Sequence, residues 1–251
     1  MAPELRTLPT RAVDCLKQCY KFAERGERVT TTAMRACLQG LEPSGRLSDA
    51  TITQLFKWLA EREFVRHTPY HGIELTPLGA EAAAELVRHH RLLELFLVRV
   101  MGFALEEADA EAERLEHVIS EAFEDRMDAL LGHPTVDPHG DPIPNKAGEV
   151  VAVETLPVGA LGAGERAVVQ RVSDDDAAIL RYLRTLGLVP GAKLVVQAIA
   201  PYGDVVTLRV GGHTQAIGTA IAQRVHVCRL PPEPEHAAAT PRPVNSSQSG
   251  G

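Results

Sequence analysis

Apolar residues in the first quarter of the chain recur at helical spacing and then switch to alternation. Over residues 10–25, Val13, Leu16, Cys19 or Tyr20, and Ala23 share one face, and Gly26 follows where a left-handed residue ends a helix. A shorter helix is predicted from Thr31 to Leu38, before the turn-rich break GLEPSGR. Ser48 or Asp49 then caps a helix to about Arg62, burying Ile52, Leu55, Phe56 and Leu59. FVRHTPYHGIELT reads as strand, tight turn, strand, with Phe64 and Val65 before the turn and Ile73 and Leu75 after it. Three helices and a hairpin predict a winged helix-turn-helix over residues 1–78.

Residues 79–145 return to helical periodicity. HHRLLELFL places His90 and Glu94 one turn apart, and DAEAERLEHVIS reads as one helix from Asp109 to Ser120. In that helix Asp109, Glu113, Glu116 and His117 form a continuous face beside an apolar stripe of Leu115, Val118, Ile119 and Ala122. Pro134, Pro138, Pro142 and Pro144, with Gly132 and Gly140, predict an extended connection. Residues 146–230 alternate short β-rich runs with Gly turns around one short helix, Ala177 to Leu186. The Pro-, Ala-, Ser- and Gly-rich residues 231–251 have little to bury and read as a disordered tail.

A 45% hydrophobic content in 251 residues supports folded domains. No apolar run approaches the roughly 18 residues of a membrane span, and the N-terminus has no apolar signal region, so a cytoplasmic protein is expected. Cys15, Cys19, Cys37 and Cys228 form no CxxC pair and are expected to be reduced, buried thiols. Charge is uneven. Residues 1–80 carry 11 Lys and Arg against 9 Asp and Glu, residues 81–150 carry 6 against 16, and residues 151–251 carry 9 against 8. The net charge of −7 therefore comes from the middle segment, leaving the N-terminal segment free to meet a polyanion.

Two readings of the acidic face are open from spacing alone. Glu-rich helices commonly present a solvated surface, whereas three carboxylates and an imidazole beside the core would hold a metal ion. The helix from Ser48 is open in the same way. As a recognition helix it would offer Ser48, Ala50, Thr51, Thr53 and Gln54 to the major groove, with Gln54 suited to adenine, Ala50 to a thymine methyl, and Arg66 in the wing near phosphate. As an ordinary helix start, its hydroxyls would cap the backbone.

The order of helix-turn-helix, wing, ELTPLGAEAA, HHRLLELFL, EAERLEHVIS and LGHPTVDPHGDPIP resembles the diphtheria toxin repressor family of metal-dependent transcriptional regulators over residues 10–145. The resemblance implies a homodimer on a roughly palindromic double-stranded operator, repressing metal-uptake genes. It implies a primary metal site at Asp14, Glu113, Glu116 and His117, and a separate ancillary site at His90, Glu94 and Asp109. His133 and His139 receive no ligand role. Carboxylates at Asp14 and Glu113, where iron-responsive members carry Met and Cys, favour Mn(II), with Fe(II) the alternative. The manganese branch also uses a Glu where this chain has Lys17, which cannot ligate, so the layout of the longer, iron-type members is expected. In those members a third domain adds ancillary ligands. Here LGLVPGAKLVV resembles a small SH3-like barrel of ferrous-iron transport accessory proteins, and Asp174 to Asp176 is the nearest candidate turn, with Asp176 assigned unless the turn merely caps the following helix. The expected fold is mainly α with small β: winged helix-turn-helix, helical dimerisation domain and SH3-like β-barrel. A metal-dependent hydrolase is the competing class, but the chain has no HExxH helix, phosphate-binding Gly loop or positioned nucleophile motif.

Overall fold

The computed structural model describes residues 8–41, 46–69, 71–151, 153–172 and 177–231. Asp176, with Asp174 and Asp175, lies outside the described residues, as does the tail beyond residue 231. Buried apolar side chains form three clusters.

The first cluster sits among α1 (Thr10–Glu24), α2 (Thr31–Leu41), α3 (Asp49–Glu61) and a hairpin of β1 (Val65–Thr68) and β2 (Gly72–Leu75). Gly26, at φ 68°, ends α1 by donating its N–H to Ala23 O, while the Glu27 N–H reaches Phe22 O. Ser48 caps α3 by accepting from the Thr51 N–H. Ala82, Ala83 and Leu86 of α4 (Pro77–Arg99) complete this core, so α4 belongs to the first two modules at once.

α4 carries the second cluster, with α5 (Leu105–Leu115) and α6 (Glu121–Leu130) packed against it. Ala108 and Ala112 are fully buried, and these small side chains let α5 lie close to α4. The single helix expected through Ser120 is in fact two. α5 ends at Leu115, Glu116 is its C-cap, and Ser120 caps α6 by accepting from the Phe123 N–H. The apolar stripe differs accordingly: Val118 is 74% exposed and Ala122 is exposed, while Ala108 and Ala112 do the packing. Periodicity favoured the longer helix, but Ser120 offers its hydroxyl to the backbone and starts a new one.

The Pro-rich stretch is a built loop rather than an extended connection. Asp137, His139, Asp141 and Ile143 are buried, and Asp137 Oδ1 accepts from the His139 and Asp141 N–H groups at 2.8 and 2.9 Å. That loop rests on the third module, whose strands β3 (Leu156–Pro157), β4 (Arg166–Val172), β5 (Lys193–Ile199), β6 (Val205–Val210), β7 (His213–Gly218) and β8 (Val225–Leu230) form an antiparallel sheet in the order β3-β8-β4-β5-β6-β7. Register shifts in β4 and β5 bend the sheet, and α7 (Ala177–Thr185) and the short α8 (Thr219–Ala222) add Leu180, Leu183 and Ala222 to its core. This is the small SH3-like module expected. Cys15 and Cys19 are buried free thiols, whereas Cys37 and Cys228 are only half-buried.

Candidate metal centre and nucleic-acid face

Helix α1 brings Asp14 and Lys17 to the junction of α4 and α5. Asp14, Glu116 and His117 present ligand atoms within 4.8 Å of one another, and so do His90, Asp109 and Glu113. Asp14 Oδ1 is buried and forms no well-aligned hydrogen bond, although His117 Nε2 lies 3.0 Å away. Glu113 faces the second group more than the first: its Oε2 is 3.7 Å from His90 Nδ1, and its Oε1 is buried without a partner. Glu94 Oε2 approaches His90 Nε2 at 3.5 Å, while its other oxygen meets His139 Nε2 at 3.3 Å.

Between the two groups stands Lys17, fully buried. Its ammonium donates to Glu113 Oε2 at 2.5 Å and to both Glu116 oxygens at 2.9 and 2.7 Å, and lies 3.0 Å from His90 Nδ1. His90 Nδ1 is also 2.6 Å from Glu116 Oε2. The groups expected to be separate are therefore contiguous, because close packing of α5 on α4 leaves one ammonium to serve both.

The electrostatics follow from this crowding. Burial opposes ionisation of Glu116, but Lys17 and His90 outweigh it and hold the carboxyl at about 2. Burial and Lys17 push the His90 imidazole down, yet Glu94, Glu116 and Asp109 prevail and raise it to about 9. The hydrogen bond from His90 brings Asp109 to about 2. Hydrogen-bonded Cys19 and burial push the Cys15 thiol up, and Cys15 is not among the residues whose ligand atoms converge beside Asp14. Glu113 and Glu116 thus contact the one buried lysine, while Asp14 meets His117 and Glu94 and Asp109 meet His90. The donor set is oxygen and imidazole nitrogen, with two buried acceptor atoms unsatisfied, and it fits a divalent cation.

Ala50 and Gln54 of α3 are exposed. The Ser48 and Thr51 hydroxyls bond each other at 2.9 Å, and the Thr53 hydroxyl donates to Asp49 O, so all three are engaged within the helix start. Arg66 lies 3.8 Å from Glu74 across the wing, and both side chains are largely exposed.

Two family models match the chain. Residues 76–145 match the iron dependent repressor metal binding and dimerisation domain, and residues 156–229 match the FeoA domain. The iron-dependent repressor IdeR of Mycobacterium leprae is 33% identical over 227 residues, covering 84% of this chain and 94% of that protein. The chain belongs to the diphtheria toxin repressor family. The diphtheria toxin repressor of Corynebacterium efficiens is 33% identical over 134 residues, 53% of this chain and 54% of that protein. A solved manganese-dependent transcriptional repressor in complex with manganese is 33% identical, with a TM-score of 0.79 over 87% of this chain and 100% of that one. The T. acidophilum IdeR structure is 26% identical, with a TM-score of 0.71 over 86% of this chain and 97% of that one. These family members are named as repressors, not enzymes, and no hydrolase is among them. Among the described residues no helix is long and apolar enough to cross a membrane.

Sequence reasoning left two features of the family member's centre unseen. Lys17 cannot ligate, and its central position, set by contacts 96 and 99 residues away, has no local signal. His139, read as part of a connection, is buried against Glu94. By contrast His133 is exposed and pairs with Asp128.

Proposed function

We propose that this chain is a Mn(II)-gated transcriptional repressor that binds a roughly palindromic operator as a homodimer, with metal-uptake genes as its targets. The observation that carries this reading is the placement of Asp14 on a helix of the DNA-binding module and of Glu116 and His117 at the end of α5 in the dimerisation domain, with all three in mutual reach. A divalent ion held there supplies positive charge that ties the two modules together. Asp14, Glu116 and His117 would hold it, while Glu113 bridges toward His90 and Asp109. The hydrogen bond from Lys17 orients Glu116, and metal binding requires His117 to give up any proton.

Hard carboxylate donors with one imidazole, Asp14, Glu116 and His117, support Mn(II). Fe(II) is the second reading, favoured by the identity to the iron-dependent repressor of M. leprae. Exposed Val100, Met101, Val118, Phe123 and Leu130 on the dimerisation domain support a second copy as partner. Ala50 and Gln54 support major-groove reading by α3, with Arg66 near the backbone.

The test is operator binding by the full chain at one fixed salt concentration, titrated with Mn(II), Fe(II) and a chelator. Mn(II) is expected to tighten binding by about 5- to 150-fold, the usual range of such coupling, with chelator reversing it. Operator affinity indifferent to every metal would remove the sensor; a response to Fe(II) alone would replace Mn(II).

A further inference from the structure

A second buried histidine lies one position before His90 and faces elsewhere. His89 is completely buried, and its Nε2 lies 3.0 Å from Glu124 Oε2. Glu124 is anchored on its other oxygen by Arg88 Nε at 2.5 Å, and although burial opposes its ionisation, His89 and Arg88 hold it at about 2. An ionised carboxylate only accepts, so the His89 Nε2–H donates to Glu124. The His89 Nδ1 is buried and has no hydrogen-bond partner. His89, Glu85 one helical turn earlier on α4, and Glu121, the first residue of α6, each offer one ligand atom within 4.8 Å of the others.

We propose that Glu85, His89 and Glu121 form a further divalent-cation site, distinct from the centre around Lys17 and clamping the start of α6 onto α4. Three protein donors with Glu124 behind the imidazole reproduce the arrangement in which a ligating histidine gives its other N–H to a carboxylate. A cavity of about 250 Å³ lined by Glu81, Glu85, Arg88, Glu121, Glu124 and Lys146 adjoins the site and gives access for the ion and its water ligands. Lys146, 3.9 Å from Glu121 and paired with Asp125, is an exposed side chain able to swing clear. One imidazole and two carboxylates select first-row divalent ions such as Mn(II), Co(II) or Zn(II) over soft monovalent ones.

The experiment uses the full chain dialysed against Co(II), with bound metal counted per chain and located by anomalous diffraction at the cobalt edge. Wild type is expected to show an anomalous peak at coordination distance from His89 Nδ1. Glu85→Gln combined with Glu121→Gln, both half-buried and isosteric changes, should bind one Co(II) fewer per chain and lose that peak. Asp14→Asn with His117→Gln should keep it, which separates this site from the gating centre. An unchanged count in the Glu85→Gln, Glu121→Gln variant, or no peak beside His89 in wild type, overturns the proposal.

Discussion

At the scale of single residues, the centre is organised by Lys17. A lysine taken wholly out of water is tolerable only when its ammonium is paired, and here Glu113 and Glu116 supply the partners. Removing one partner of such a pair leaves uncompensated charge, at a cost of about 3–5 kcal/mol. Lys17→Met keeps most of the volume and is expected to lower stability by that order in chelator, measured by urea denaturation. Mn(II) should recover more of the loss than it adds to wild type, because without the ammonium the Glu113 and Glu116 carboxylates are left with His90 alone, and the ion offsets the remaining charge. An unchanged urea midpoint would mean that the ammonium contributes nothing net. None of this was legible in the sequence, since Lys17 meets Glu113 and Glu116 across 96 and 99 positions. Residue types gave the donors; their distances depend on how three helices pack.

At the scale of elements, the helices with strong local signals were legible and the irregular joints were not. α1, α3 and the wing carry their own caps and turn residues, so periodicity and punctuation located them within a residue or two. The break after Leu115 was missed because Glu116, His117 and Val118 all suit a helix, and only the hydroxyl of Ser120 marks the restart. That restart turns α6 back onto α4, where Glu124 meets Arg88 and His89. A carboxyl depressed from 4.5 to about 2 in the folded chain gives stability that is complete above the unfolded value and is lost as pH falls through the folded one. Acid unfolding between about pH 4.5 and 2 should therefore draw up to roughly 3 kcal/mol from this seam. Glu124→Gln is expected to be less stable than wild type at neutral pH and to show a flatter pH profile in that window; parallel profiles would place the acid sensitivity elsewhere.

For the whole molecule, the loop between the helical domain and the SH3-like module determines how the third part is seated. Its composition suggested a connection, because Pro and Gly spacing cannot distinguish an extended segment from one folded on its own carboxylates. Asp141 meets Arg171 of β4 at 3.1 Å, the Val172 N–H donates to His139 O, and Arg184 of α7 pairs with Glu106 of α5 at 2.9 and 3.0 Å. The tightest point is Gly140. At φ 90° a Cβ would lie 1.8 Å from Gln170 O, a backbone atom that cannot step aside. Gly140→Ala is therefore expected to lift the loop off β4 and undock the module while leaving its own core folded. The surface pairs, Arg184 with Glu106 above all, are too weak to hold it alone at about 1 kcal/mol or less each. Small-angle scattering should show a larger radius of gyration, and limited proteolysis should cut faster between residues 146 and 156. Because His139 joins this loop to Glu94, the same change should also weaken metal binding at the His90 group more than at the Asp14 group. A variant that scatters and cleaves like wild type would show that the module is held by contacts other than this loop.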